Sequence, residues 1–429
     1  MPDFLSEASF ETLKLPADRL NHDRLAKNTL RWALTLPPGS VIALQGSWGR
    51  GKTDVLARIM QFTRRESPPP GITEPAFWLN PWQYATPDLL TPLVKAMASR
   101  AEEKGFDADQ LRAISGQLIQ AGTSFGLKAA GSVVPGGALL KLAAPEAARL
   151  VGSLTAGRDP EGGDPVGQMA ANFRTLAQAL LPAEVARVGG RILILVDDLD
   201  RCLPERQVAM LQALRFLISA GAPVTVIVAL DPVLARQGVL AAYRSEAFDP
   251  DLYLDKMFDL RVNLGPIDKD QLNALIDGLL QRPVVLSNRE RPLATTLPRG
   301  WEQMAIAAPS ALGVQSLRNP RVVRRIFDKL TLLALSNRLH SPETPAELKL
   351  ALQFMGIAER WPQLRQVLFE KGHHLGLERL INHYTGQRPD PALPDEPDLE
   401  RLFTDIAQRK SSAAAVYPGV HQLLVEAGF

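Results

Sequence analysis

The stretch GSWGRGKT, residues 46–53, sits between the apolar run VIAL and the run DVLARIMQFTRR. A glycine-rich turn with a strand before it and a helix after it limits the folds open to a chain more than composition does. Gly46, Gly49, Gly51, Lys52 and Thr53 satisfy the spacing G-x-x-x-x-G-K-[ST]. Such glycines let backbone N–H groups turn inward around phosphate, the lysine reaches the β and γ oxygens, and the threonine hydroxyl is a Mg²⁺ ligand. The helix that follows points its positive end at the same charge. Ser47, Trp48 and Arg50 within the turn, and Asp54 just after it, belong to the same expected nucleotide-binding set. The plainer alternative is a strand-to-helix turn that never meets a nucleotide. The flanking pattern favours the cradle.

The rest of the chain supplies a sheet for that turn. AFWL (76–79), ILILV (192–196) and VTVIVAL (224–230) read as short buried strands, and FDLRVNL (258–264) alternates like a more exposed one. Continuous apolar strands separated by helices argue for a parallel α/β sheet covered on both faces. DRLNHDRLAKNTLRWALTL (18–36) carries apolar residues at helical spacing, with PPGS as its stop. Thr86 or Asp88 is placed to start the helix after the second strand. The long stretch between the second and third strands reads as an alanine-rich helical insertion. Beyond Gly265 the chain reads as helical, with a proline- and arginine-rich loop over 281–300 and a proline-acidic linker over 385–398. The expected divisions are 1–99 and 191–265 for the core, 100–190 for the insertion, 266–384 for a helical lid region and 385–429 for the tail.

Acidic residues close two of the strands. In ILILVDDLDRC, an apolar strand ending in acid brings a carboxylate to the carboxyl edge of the sheet, beside the glycine-rich turn. Asp197 is expected to hold Mg²⁺ and Asp198 to orient or activate an attacking water. Asp200 and Arg201 read either as a surface ion pair or, for Arg201, as a group facing a nucleotide across a subunit boundary. Cys202 reads as a small buried residue. Asp231 ends the strand VTVIVAL, where it can sense a γ-phosphate, cap the helix that starts at Pro232, or do both. NPRVVRRIFDKL (319–330) starts a helix in the same manner. Arg321, Arg324 and Arg325 near its start oppose the helix dipole, which suggests an anionic partner; a basic solvated face is the alternative. Trp78, Trp82 and Tyr84 read as packing and a loop anchor in preference to a platform for a base.

Taken together these segments resemble the KAP P-loop NTPases. The resemblance rests on GSWGRGKT, NPWQYATPDLL, VDDLDRCLPERQVAMLQALRFLI, VIVALDPVLAR, YLDKMFDLRVNLGP and NPRVVRRIFDKL, in order, over roughly residues 17–370. It implies an ASCE-type sheet with a further strand between those of Walker A and Walker B, ATP hydrolysis, and an arginine from the C-terminal part completing the site. Arg321 is the favoured candidate, with Arg201 as the other. It also implies oligomerisation through the core and, for bacterial members, an association with defence against phage or plasmids alongside protein partners of a multi-component system. Many members carry membrane-spanning helices between the second strand and Walker B. Here the sequence departs. Residues 122–156 are interrupted by Lys128, Lys141, Glu146 and Arg149, and the longest charge-free run, AAGSVVPGGALL, is shorter than the roughly 20 residues a span needs. A soluble or peripherally associated insertion is expected.

Composition narrows the remaining classes. A net charge of +2 gives no electrostatic case for a nucleic-acid partner, and no recognition module for one is visible. A single cysteine rules out an intrachain disulfide, and the start lacks a basic segment followed by an apolar one, so a cytoplasmic setting is expected. No guanine-reading N-K-x-D occurs, which makes ATP the expected nucleotide, with Mg²⁺. A membrane-linked scaffold with slow turnover and a nucleic-acid motor are the alternative functions.

Overall fold

A computed structural model describes residues 15–64, 71–72, 76–83, 91–131, 165–181, 183–219, 221–243, 248–286, 289–293, 308–309, 311–313, 315–335, 345–368, 373–409, 417–418, 421–422 and 425. Thr86, Asp88, Tyr84 and residues 132–156 lie outside this set. The chain divides into two compact units, one holding His22–Leu264 and the other Gly265–Phe429 together with Asp18–Asn21.

The first unit is a five-stranded parallel sheet. Its strands are β1 (Val41–Gln45), β2 (Phe77–Leu79), β3 (Ile192–Val196), β4 (Val224–Leu230) and β5 (Leu260–Asn263), in the order β2-β3-β4-β1-β5. β4 lies between the strand that feeds the glycine-rich turn and the strand that ends in Asp197, the arrangement expected of an ASCE sheet. Every residue of β1, β3 and β4 is buried, because helices cover both faces. Alternate residues go to alternate sides. Ile42, Leu44, Leu193, Leu195, Ile227 and Ala229 pack with α1 (His22–Thr35) and α2 (Lys52–Thr63). Val41, Ala43, Ile194, Val196, Val226 and Val228 pack with α3 (Thr91–Glu103), α4 (Ala108–Gly131), α5 (Pro165–Leu180), α6 (Pro204–Ser219) and α7 (Pro232–Tyr243). Leu111 and Leu118 of α4 and Phe173 and Leu176 of α5 are part of that same core. The described helices of the 100–190 stretch therefore build the sheet's cover rather than standing apart from it. α8 (Pro250–Met257) leads into the edge strand β5.

α1 begins at His22 and not at residue 18, because Asn21 takes a left-handed backbone, φ 57. Its other end is closed by a residue far along the chain. Arg191, buried just before β3, donates to the carbonyls of Ala33 at 2.8 Å, Leu34 at 3.0 Å and Leu36, and to that of Gly189 at 3.1 Å. Those of α1 are the carbonyls that the end of a helix leaves without partners. A guanidinium can satisfy several of them in one plane and an ammonium cannot.

Among its described residues the second unit is mainly helical, with one antiparallel hairpin. Its helices are α9 (Lys269–Leu280), α10 (Pro320–Leu335), α11 (Pro345–Arg360), α12 (Pro362–Leu368), α13 (His373–Tyr384) and α14 (Pro397–Ala407). Phe327, Phe354, Trp361 and Phe403 centre its core, with Tyr384 stacked on Phe403 at 5.0 Å and Trp361 Nε1 donating to Glu396 at 2.7 Å. The loop expected over 281–300 contains an antiparallel pair, β6 (Pro283–Leu286) and β7 (Arg289–Pro292). The prolines stand at the open end of the ladder, opposite one another, where a missing N–H costs little. Among the described residues no helix is long and apolar enough to cross a membrane.

Arg191→Lys keeps the charge and loses the fork. It is expected to lower the unfolding free energy of the first unit by about 3 kcal/mol, because buried carbonyls lose their donors. Urea denaturation reads this, and a change below about 0.5 kcal/mol would mean that Arg191 does not secure the end of α1.

Candidate nucleotide site

Parallel pairing carries four chain segments off the same edge of the sheet. Gln45 is in register with Leu230, and Val196 with both Val228 and Leu79. Gly46, Asn80, Asp197 and Asp231 are the residues that follow the four strands: Gly46 and Asp231 emerge level with each other, and Asn80 and Asp197 emerge level with each other two residues short of them. Gly46 N donates to Leu230 O at 3.2 Å and Asp197 N to Leu79 O at 3.0 Å, which extends the ladder into the loops.

The glycine-rich turn has the backbone that its sequence requires. Gly49 and Gly51 take φ 85 and φ 101, in the region that side chains disfavour. At Gly51 a Cβ would also stand 2.3 Å from His22 Cε1. Ser47 Oγ accepts from Arg50 Nε at 3.2 Å, and the N–H of Trp48 donates to Asp231 Oδ2 at 3.0 Å. Lys52 opens α2 and is buried. Its Nζ donates to Gly46 O at 2.8 Å and lies 3.5 Å from Asp200 Oδ2. Thr53 Oγ1 donates to Asp197 Oδ1 at 3.2 Å, which joins the first helical turn after the cradle to the end of β3.

The acids divide into distinct environments. Asp197 is 2 % exposed, and burial, reinforced by the negative charges of Asp198 and Asp200, pushes its carboxyl up to about 7 against the opposing hydrogen bond from Thr53. Asp198 has a left-handed backbone, φ 55. Burial raises its carboxyl above the usual range, while Arg201 and Asn80 pull it down. Asp200 does not lie at the surface as a partner of Arg201. Its side chain is buried beside Lys52, and its Oδ2 accepts the Asp231 N–H at 3.0 Å. Arg201 pairs with Asp198 at 2.9 Å and lies over the Trp82 ring at 5.4 Å. Asp231 makes two contacts: Oδ1 accepts from Val233 N at 3.0 Å as the cap of α7, and Oδ2 holds the P-loop at Trp48. Asp54 turns away from the cradle. Against the effect of burial, His22 at 2.6 Å and Arg58 at 2.9 Å hold its carboxyl below the usual range. Burial pushes the Cys202 thiol up to about 11, which leaves it unsuited to thiolate chemistry. Trp78 packs on the α1–α2 side of the sheet.

A family model described as the KAP family P-loop domain matches residues 25–337. The chain belongs to this family. No curated protein matches it. The KAP P-loop domain is a nucleotide-binding domain, and the residues here fit the groups it takes. A phosphate chain fits a turn whose glycines cannot carry side chains and whose lysine stands at the start of the following helix. A hard divalent cation fits the oxygen pair of Thr53 and Asp197.

The three arginines of the second unit are not equivalent. Asn319 Oδ1 caps α10 by accepting from Arg321 N at 2.9 Å. Arg325 pairs with Glu359 at 3.4 Å, and Arg324 lies 3.9 Å from Asp328. Acids of the same unit thus offset two of the charges whose position suggests an anionic partner.

Three contributors escape a reading of the sequence: His22, Asn80 and the inward turn of Asp200. Asn80 has a signal, since it is the first residue after a strand whose carboxyl end joins the same edge. His22 has none, because its importance comes from an apposition of helices.

The Asp197 carboxyl carries a sign that can be checked without turnover. Its folded value lies above the ordinary 3.8, so the native protein holds an extra proton between about pH 4 and pH 7 and loses stability as pH rises through that window. In the absence of metal and nucleotide, Asp197→Asn should raise the melting temperature at about pH 8 and do so less at about pH 5. An equal change at both values would contradict the assignment.

Proposed function

We propose that this KAP protein is a Mg²⁺-dependent ATP hydrolase that works as a nucleotide-dependent switch or assembly factor. The observation that carries the reading is the meeting of Thr53 and Asp197 at 3.2 Å, with Lys52 and Asp198 on either side. A turn that only linked a strand to a helix would have no need of a buried acid and a half-buried one side by side at its mouth, since burying carboxylates costs stability. In this reading the backbone N–H groups of residues 46–51 and the Lys52 ammonium bind the phosphates. Thr53 and Asp197 hold Mg²⁺, which when bound offsets charge on the phosphoryl oxygens. Asp198 accepts from the attacking water and sets its line of approach. Asp231 ties the loop to the end of β4, so that a change at the phosphates is felt at the start of α7. A second cation near the γ-phosphate comes from Arg321, supplied by a neighbouring subunit of a homo-oligomer. The resemblance to bacterial KAP members extends the proposal to a part in defence against phage or plasmids, with other proteins as partners.

Two tests separate the parts. Lys52→Ala should abolish ATP binding measured by calorimetry, whereas Asp198→Asn should keep Mg-ATP affinity and hydrolyse at least about a hundredfold more slowly. Unchanged affinity in the first variant would remove the cradle reading; normal turnover in the second would remove Asp198 from the chemistry. Arg321→Ala should bind ATP with hydrolysis down by about 10³-fold or more. Mixing it with Lys52→Ala should restore part of the activity, because mixed oligomers can combine one intact P-loop with one intact arginine. No recovery in mixed oligomers that demonstrably form would place the arginine in cis. Normal hydrolysis by the single variant would take Arg321 out of the site.

A further inference from the structure

We propose that Asn80 is a positioning residue for hydrolysis, fixing the Asp198 carboxylate from one side while Arg201 fixes it from the other. The proposal rests on the hydrolase reading and assigns a task to the NPWQ segment, which that reading leaves without one. Asn80 is 5 % exposed and is the first residue after β2, the sheet neighbour of β3. Its Nδ2 donates to Asp198 Oδ2 at 3.1 Å, and its Oδ1 accepts from Trp82 N at 3.2 Å.

The two partners determine the orientation of the amide. A backbone N–H needs an acceptor and a carboxylate needs a donor, so a flipped amide would lose both bonds. The same short turn reaches the second restraint, since the Trp82 ring lies under the Arg201 guanidinium whose Nε meets Asp198 Oδ1 at 2.9 Å. Each oxygen of Asp198 is therefore held by one donor. A carboxylate has about four acceptor positions, which leaves room for a water. Asp198 also sits at φ 55, a backbone region that a residue other than glycine occupies at a cost. Side-chain partners on both oxygens keep it there. The Asn80 amide is engaged by Asp198 and Trp82, neither of them in the P-loop. Its effect should be on the placement of Asp198 and not on the grip on phosphate.

The test uses the full chain and follows ATP affinity, KM and kcat together. Asn80→Ala should lower kcat between about tenfold and a hundredfold, the scale of a misplaced reacting group, with ATP affinity and KM within about twofold of wild type. On an Asp198→Asn background the same change should cost nothing further, because the residue it positions no longer acts. Asn80→Asp keeps the side-chain size and the acceptor for Trp82 but turns an acceptor toward Asp198. It should lose at least as much kcat as Asn80→Ala, and it serves as the readout should Asn80→Ala melt early. Wild-type kcat in both variants overturns the proposal, and so does a loss of the same size on the Asp198→Asn background. A rise in KM with kcat unchanged also overturns it. A wild-type protein that binds ATP and does not hydrolyse it overturns the hydrolase reading and this assignment with it, an outcome distinct from active wild type with unaffected variants.

Discussion

Register between parallel strands is the constraint on which the site depends. Gln45 opposite Leu230, and Val196 opposite Val228 and Leu79, fix where four chain segments leave the sheet. A one-residue slip in any strand would exchange its two faces. It would turn Leu193 and Leu195 from the α1–α2 side to the α3–α7 side, and Asp197 would no longer meet Thr53. Burial of both faces makes that slip costly, since each core is packed to the shapes of the side chains it holds and forcing a wrong one into it costs about 1–3 kcal/mol. The placement of catalytic candidates is thus enforced by packing at residues that never touch a ligand.

The glycine-rich turn needs a second fixed boundary, because a loop rich in glycine has little conformational preference of its own. α1 supplies it. At its start the His22 ring lies where a Gly51 side chain would be, and it pairs with Asp54 in the first turn of α2. Asp54 is held in turn by Arg58, which reaches Asp23 at 2.7 Å and Pro16 O at 3.0 Å. At its other end Arg191 gathers the closing carbonyls. The helix is pinned to the P-loop at one end and to the entry of β3 at the other. Gly51 is constrained twice over, by its φ and by its neighbour, although the motif alone accounts only for the first.

Legibility in the sequence follows the range of the interaction. β3 and β4 are readable to the residue, since a run of five or seven branched and apolar residues between turn signals has one sensible assignment. The Walker A set is readable because its chemistry is written in consecutive residues. Asp231 can be read two ways from its place at a strand end, and a cap on α7 occupies only one of its carboxylate oxygens, which frees the other for Trp48. The β6–β7 pair is obscured by its prolines, which mark loops in general and here mark the open end of a ladder. Asp200 misleads for a different reason. Next to an arginine in sequence it suggests a pair with that arginine, yet the short helical turn over Leu199–Arg201 sends Asp200 inward to Lys52 and Arg201 back to Asp198. Adjacent residues in such a turn face different directions, so sequence adjacency is the wrong measure of contact.

That divergence sets the electrostatics of the site. Three acids stand within four residues at the end of β3, and two have a cation beside them: Asp200 has Lys52 and Asp198 has Arg201. Asp197 has the Thr53 hydroxyl, and a hydroxyl offsets far less charge than an ammonium or guanidinium. It is also the most deeply buried of the three, and among the described residues no cationic side chain pairs with it, so burial disfavours its charged form and its carboxyl moves up to about 7. The acid left unbalanced is the one adjacent to the only threonine in the cradle, and together they offer oxygen ligands to a hard cation. A cationic side chain at that point would neutralise Asp197 and leave the Thr53–Asp197 oxygen pair ill-suited to a divalent cation. The pairing of Asp200 with Lys52 and of Asp198 with Arg201 therefore satisfies two of the three acids and leaves Asp197 with the Thr53 hydroxyl.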